Sequence, residues 1–205
     1  IQPCLASIPS YTNLGMSNLL PNKGITVEKG DQDLVFKING KPTNSQNRQA
    51  ILQENVSESV TIDYAEIIKF DRETGRKFFI KNKLVYIYHD WMDAIGDKKR
   101  TEHETFEETG KVVDQIKRLI QKIYGWNISH VLVTADHGFL FNYNELKESD
   151  KEALPKTKGF SKDNSRFVIG EKFEGKQDGY LFDMKNTTNC ETDLKIAIPR
   201  AINRY

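Results

Sequence analysis

The most constraining stretch of this chain is Val131-Leu132-Val133-Thr134-Ala135-Asp136-His137-Gly138. A run rich in β-branched residues, closed by a carboxylate, an imidazole and a glycine, predicts a buried strand that stops abruptly at polar chemistry. In an open α/β sheet, ligands sit beyond the carboxyl ends of the strands, which makes Asp136 and His137 candidate metal or catalytic groups. Both are good ligands for a divalent cation, and Gly138 would leave room for a close approach. Asp136 could equally cap a following helix while His137 makes a buried hydrogen bond, so the triplet alone does not decide between the two.

A second strand ends the same way. Lys83-Leu84-Val85-Tyr86-Ile87-Tyr88 runs into His89-Asp90-Trp91-Met92-Asp93-Ala94-Ile95-Gly96-Asp97. Asp93 and Asp97 share a face if they lie on one helical turn, and two convergent carboxylates call for a cation between them. A solvated acidic turn is the competing explanation, and Lys98-Lys99-Arg100 has the pattern of a solvated charge run. Between the two strands, Thr105-Phe-Glu-Glu108 has a capping-box pattern. Val112, Ile116, Leu119 and Ile123, widened by Val113 and Ile120, form the apolar stripe of a helix reaching about Tyr124. A β-α-β unit with parallel strands is therefore expected.

Upstream, Pro9-Ser10-Tyr11-Thr12-Asn13-Leu14-Gly15-Met16 predicts a turn opening a short helix, with Thr12 as a plausible N-cap and Pro21 as its stop. A hydroxyl beside unpaired helix N–H groups could act as a nucleophile; capping would explain Thr12 as well. Residues 24–42 alternate as short strands around Asn39-Gly40, a strong hairpin signal, and predict an inserted β-ribbon. Arg48 to Glu54 predicts a short helix, and residues 61–72 stay open between strand end and helix. After His137, the polar stretch 142–162 predicts a lid-like loop or helix, and strands are expected at 166–170, 179–184 and 194–199.

Composition bounds the partners. Among 205 residues, 30 basic side chains face 29 acidic ones, so no strongly basic nucleic-acid-binding face is demanded. Hydrophobic content of 38% with 29% charged suits a soluble domain without a membrane partner, because no apolar run reaches the length of a span. Cys4 and Cys190 are too few for a disulfide framework or a Cys-rich zinc site, and a reducing compartment is the simpler expectation. The chain opens on Ile and enters a motif-like segment within ten residues, which favours an excised portion of a longer protein.

Taken in order, the Pro9–Met16 segment with Leu19-Leu20-Pro21, the Tyr86–His89 segment with Asp93–Asp97, and Thr134–Phe139 resemble the PglZ domain of bacterial BREX phage-defence systems, a branch of the alkaline phosphatase superfamily. The likeness covers about residues 5 to 140. It implies a doubly wound, mostly parallel α/β sheet of the alkaline phosphatase-like type carrying the β-ribbon at 24–42, with residues 1–205 forming an incomplete portion of one such domain. It further implies a cytoplasmic metal-dependent phosphoester hydrolase, a phosphatase or phosphodiesterase, holding two divalent ions, Zn2+ or Mn2+. Thr12 would be the nucleophile and a ligand of one metal with Asp136 and His137. Asp93 and Asp97 would hold the other, as a harder site than the His-containing one of many relatives. Asn13 would serve the phosphoryl oxygens, and Ser10 is the rival nucleophile. An Asp before the nucleophile and a His in a His-Gly-Gly-like segment, both expected in relatives, fall outside these residues, so the isolated stretch could lack metal and activity. Implied partners are a phosphoester substrate, a nucleotide or nucleic acid, and other BREX proteins. The alternative from another class is a catalytically silent scaffold that binds defence partners or a nucleotide.

Overall fold

A computed structural model describes residues 2–30, 33–91, 102–138 and 147–205. Asp93 and Asp97, the run Lys98–Arg100, Phe139 and the first part of the expected lid lie outside the described residues. The chain divides into two compact units, one formed by residues 1–47 and 135–205 and the other by 48–134.

In the first unit, helix α1 (Thr12–Asn18) precedes strands β1 (Ile25–Lys29), β2 (Leu34–Ile38) and β3 (Lys41–Pro42). Ile38 pairs with Lys41, so Asn39 and Gly40 are a two-residue loop. Both have positive φ, 51° and 76°. That is the mirror-image turn whose twist matches a hairpin, and it explains why Asn-Gly is legible in the sequence. β2 alternates buried and half-buried, with Leu34, Phe36 and Ile38 inward.

The remainder of this unit is β6 (Thr157–Asn164), β7 (Phe167–Phe173), β8 (Tyr180–Asp183), a short α6 (Met184–Thr187), β9 (Cys190–Glu191) and β10 (Lys195–Ile198). Two four-stranded sheets result, ordered β3-β2-β1-β9 and β6-β7-β10-β8. β1 is antiparallel to β2 and parallel to β9. All pairs of the second sheet are antiparallel. Phe167, Val168 and Ile169 of β7 and Ile196 and Ala197 of β10, its two central strands, are buried. Thr157, Lys158, Ser161 and Lys162 pair with β7 across a register shift, so residues 157–162 belong to β6 rather than to a lid-like loop or helix. Cys4 is free and exposed; Cys190 is free and buried, and burial raises its thiol pKa.

The second unit holds α2 (Arg48–Asn55), β4 (Ser59–Asp63), α3 (Tyr64–Ile67), α4 (Arg72–Lys81), β5 (Leu84–Tyr88) and α5 (Glu102–Gly125). The ambiguous stretch 61–72 resolves into the end of β4 followed by helix. β4 and β5 pair in parallel from Ser59↔Leu84 to Asp63↔Tyr88, joined by the α3–α4 crossover. Ile67, Leu119, Ile123 and Trp126 form the buried centre, with Phe70, Phe78, Phe79 and Ile87 packed around it.

Several expectations change here. α5 begins at Glu102, which puts Thr105 inside the helix instead of at its cap. Val112, Leu119 and Ile123 are buried as the periodicity predicts, but Val113 is 58% exposed, so the stripe is narrower than read. The strand expected at 130–134 carries no ladder among the described residues, and Leu132 is 89% exposed. An apolar run becomes a strand only where a neighbouring edge accepts its N–H and C=O groups, and none is described for it. The sheets are accordingly mixed or antiparallel apart from the single β4–β5 pair, which is a mixed α/β architecture and not a demonstrated doubly wound parallel sheet.

Two local features are testable. A Cβ on Gly75 in α4 would run into the Trp126 indole. Overpacking costs about 1–3 kcal/mol against the ~1 kcal/mol that alanine gains in a helix, so Gly75→Ala is expected to weaken hydrogen-exchange protection of α4 and α5. Asp71 caps α4 by accepting the Thr74 N–H at 2.7 Å, and that bond holds its carboxyl below the ordinary value of 3.8. A depressed folded pKa contributes stability above the unfolded value and loses it as pH falls through the folded one. Asp71→Ala should therefore raise exchange at the start of α4 at neutral pH, and the difference from wild type should shrink below about pH 4.

Candidate active site

Thr12 is the first helical residue of α1. The N-cap position belongs to Tyr11, whose side chain makes no capping bond. The hydroxyl of Thr12 is thus not consumed by the helix terminus. It lies 3.0 Å from Nε2 of His137, which is 125 residues away in the sequence. Thr12, rather than the neighbouring Ser10, presents its hydroxyl to the imidazole.

The polarity of that contact follows from the other side of the ring. His137 Nδ1 is 2.9 Å from the carbonyl oxygen of Gly138, which can only accept. Nδ1 therefore carries the proton and donates, and in the neutral ring Nε2 offers a lone pair to the Thr12 hydroxyl. Asp136 completes the group. Its Oδ2 is buried without a hydrogen-bond partner and lies 3.4 Å from the same Nε2. With Nε2 unprotonated, it and the carboxylate oxygen are two acceptors and do not bond each other. A buried carboxylate oxygen without a donor is costly unless a proton or cation serves it, and here it shares a small space with an imidazole lone pair and a hydroxyl.

What brings these residues together is a glycine on the same helical face as Thr12. A Cβ on Gly15 would sit 2.5 Å from the carbonyl oxygen of Asp136 and 2.9 Å from its carbonyl carbon. The backbone of residue 136 can lie against α1 only because position 15 has no side chain. Gly138, the residue expected to allow close approach, has open space where a Cβ would be. α1 is itself held by Ser17, whose hydroxyl lies 2.6 Å from the Asn13 carbonyl and 2.6 Å from the buried Thr43 hydroxyl beyond the hairpin.

Asn13 is next to Thr12, and its amide donates to the Tyr11 phenol oxygen at 3.1 Å. Tyr11 in turn donates to Asp33. Burial first, then the Asp33 carboxylate, pushes the Tyr11 phenol far above its usual pKa. His89, at the end of β5, is engaged by Gln115 of α5 at 2.8 Å and by an edge-on contact with Tyr64, which makes it part of the packing of its own unit. Asp93 and Asp97 are outside the described residues, and among those described no cluster of three or more His, Cys, Asp or Glu forms. Gly15, Tyr11 and Asp33 were not singled out in the sequence. The legible signal for Gly15 was a glycine interrupting a helical segment three residues after a candidate nucleophile.

Gly15→Ala is expected to push the Asp136 backbone away and lengthen the 3.0 Å Thr12–His137 contact beyond hydrogen-bonding range in a crystal structure of the variant. Gly24→Ala is the control, because a Cβ there meets nothing within 4 Å.

The family model of the BREX system PglZ alkaline phosphatase-like domain matches residues 1–205. The chain is 32% identical over 202 residues to the "Alkaline phosphatase-like protein PglZ" of Bacillus cereus strain H3081.97, covering 97% of this chain and 23% of that protein. It is 30% identical over 203 residues to the "Alkaline phosphatase-like protein BrxZ" of Escherichia coli O9:H4 strain HS, covering 98% of this chain and again 23% of the relative. The chain thus spans about a quarter of the length of these relatives. No solved structure matches. Among the described residues no helix is long and apolar enough to cross a membrane. With the family model matched from end to end, the chain belongs to the PglZ alkaline phosphatase-like domain family of BREX systems.

Proposed function

We propose that the full-length protein is a metal-dependent phosphoester hydrolase, a phosphatase or phosphodiesterase serving BREX phage defence in the cytoplasm, with Thr12 as its nucleophile. The observation that carries this reading is the 3.0 Å contact between the Thr12 hydroxyl and His137 Nε2, beside a buried carboxylate oxygen that has no donor. That the N-cap position belongs to Tyr11 supports this reading over a capping role for Thr12. Residues 1–205 are read as part of one PglZ domain that carries the β-ribbon at 24–42.

The donor set suits a divalent cation: one imidazole nitrogen with its proton held on the far side, one unserved carboxylate oxygen and one hydroxyl. Asp136, His137 and Thr12 would hold one ion, and Asp93 with Asp97 a second, Zn2+ or Mn2+ by ligand type. Such ions, when bound, polarise phosphoryl oxygens and lower the pKa of the attacking hydroxyl.

The chain's own groups do the rest. The Thr12 hydroxyl gives up its proton to solvent as its oxygen attacks phosphorus. The P–O bond to the departing alcohol breaks, and that oxygen takes up a proton from solvent. Water then attacks the phosphothreonine, breaking its P–O bond to Thr12 and releasing phosphate or a phosphomonoester. The Nδ1–H bond to Gly138 fixes the ring so that Nε2 keeps facing the Thr12 side, and Gly15 keeps the Asp136 backbone against α1. The Asn13 amide donates to a non-bridging phosphoryl oxygen as charge develops there. The substrate is a phosphoester, with a nucleotide or nucleic acid as the candidate source, and the protein partners are other BREX components.

The test is hydrolysis of an aryl phosphodiester by the full-length protein with Mn2+ or Zn2+. Thr12→Ala is expected to lower kcat by on the order of a thousandfold or more while bound metal, measured by elemental analysis, is largely retained through Asp136 and His137. Turnover indifferent to that change would remove Thr12 from the chemistry and leave the domain as a binding scaffold.

A further inference from the structure

The Asn13 side chain is exposed, and an exposed amide with free rotation presents its donor and acceptor ends about equally often. A role at a phosphoryl oxygen needs the donor end. The structure contains a chain of hydrogen bonds that selects it.

Asp33 is the origin of that chain. Its Oδ1 accepts the Leu34 N–H at 2.7 Å and the Tyr11 phenol hydrogen, while Oδ2 lies 3.5 Å from the Lys162 ammonium. A carboxylate in this setting can only accept, so the Tyr11 hydroxyl must spend its one hydrogen on Asp33. The phenol oxygen is then left as an acceptor, and the Asn13 atom 3.1 Å away must be the amide nitrogen. One amide N–H is thereby committed inward, and the second diverges from it by the planar geometry of the group. The phenol cannot easily move, because its ring is packed edge-on against Phe36 at 5.7 Å and tilted against Phe167 at 5.6 Å. Phe36 lies in β2 and Phe167 in β7, so both sheets of the unit hold the ring.

We propose that Tyr11 and Asp33 are positioning residues that orient the Asn13 amide with a free N–H for a phosphoryl oxygen. This rests on the reading of Thr12 as a phosphoester nucleophile. Neither residue touches substrate; each acts through Asn13.

Tyr11→Phe keeps both ring contacts and removes only the relay. In the full-length protein with Mn2+ and an aryl phosphodiester, it is expected to lower kcat about tenfold, with KM changed less than about twofold, since the amide contact strengthens as charge develops. Asp33→Asn, nearly the same shape, lets the phenol take either polarity and is expected to lower kcat in the same direction. In an Asn13→Ala background, Tyr11→Phe should cause no further loss, because its route to the substrate is already gone. A normal kcat in both single variants overturns the proposal, and so does an undiminished loss in the Asn13→Ala background, which would make Tyr11 merely structural. If the wild type is inert toward the diester, the hydrolase reading falls separately, and binding of inorganic phosphate by calorimetry decides the relay. Equal weakening by Tyr11→Phe and Asn13→Ala supports it, and a wild type that binds no phosphate overturns it.

Discussion

The candidate site depends on a missing side chain. Gly15 lies one helical turn after Thr12, and the carbonyl of Asp136 occupies the space where any other residue would carry a Cβ. A steric constraint of this kind is strict in a way that a hydrogen bond is not. A bond to water can replace a lost bond at a net cost of about 1 kcal/mol, but overlapping backbone atoms must move. The hydroxyl, the imidazole and the carboxylate are brought together by that contact, and their own mutual distances follow from it.

The second determinant is the direction of hydrogen bonds. Carbonyl and carboxylate oxygens cannot donate, so the Gly138 carbonyl sets the His137 tautomer and the Asp33 carboxylate sets the orientation of the Asn13 amide. In both cases a group that does no chemistry decides which atom of its neighbour faces outward. This is how a short helix of seven residues, with no side-chain cap of its own, can present an ordered pair of groups. The hairpin contributes through Thr43, through Asp33 just before it and through Phe36 on the buried face of β2, which packs against the Tyr11 ring.

Much of the local structure was legible because its cause is local. Asn39-Gly40 needs positive φ at both positions, the β2 alternation needs one buried face, and the spacing of Val112, Leu119 and Ile123 needs one buried helical side. Where the cause is not local, the sequence misleads. Val131-Leu132-Val133 has the composition of a core strand and yet stands exposed, since composition cannot supply a partner edge. Val113 fits the apolar stripe on paper and faces outward, because a stripe is only as wide as what covers it. Residues 157–162, expected as the end of a lid-like loop or helix, belong to a strand paired with β7, where backbone pairing outweighs the polarity of the side chains.

The sequence by itself determined the family of the chain, the residue types of the candidate site and the positions of its turns, since each of these is carried by residues adjacent in the chain or by a motif they spell. The tertiary structure alone decided that Thr12 meets His137 across 125 residues, that the Asp136 carboxylate is buried without a donor, and that Tyr11 and Asp33 stand behind Asn13. Those facts depend on which groups can approach which. The first two rest on the Asp136 backbone packing against Gly15, the third on the Tyr11 ring seated against Phe36 and Phe167. Distances of this kind between residues far apart in the chain are set by packing rather than by local pattern.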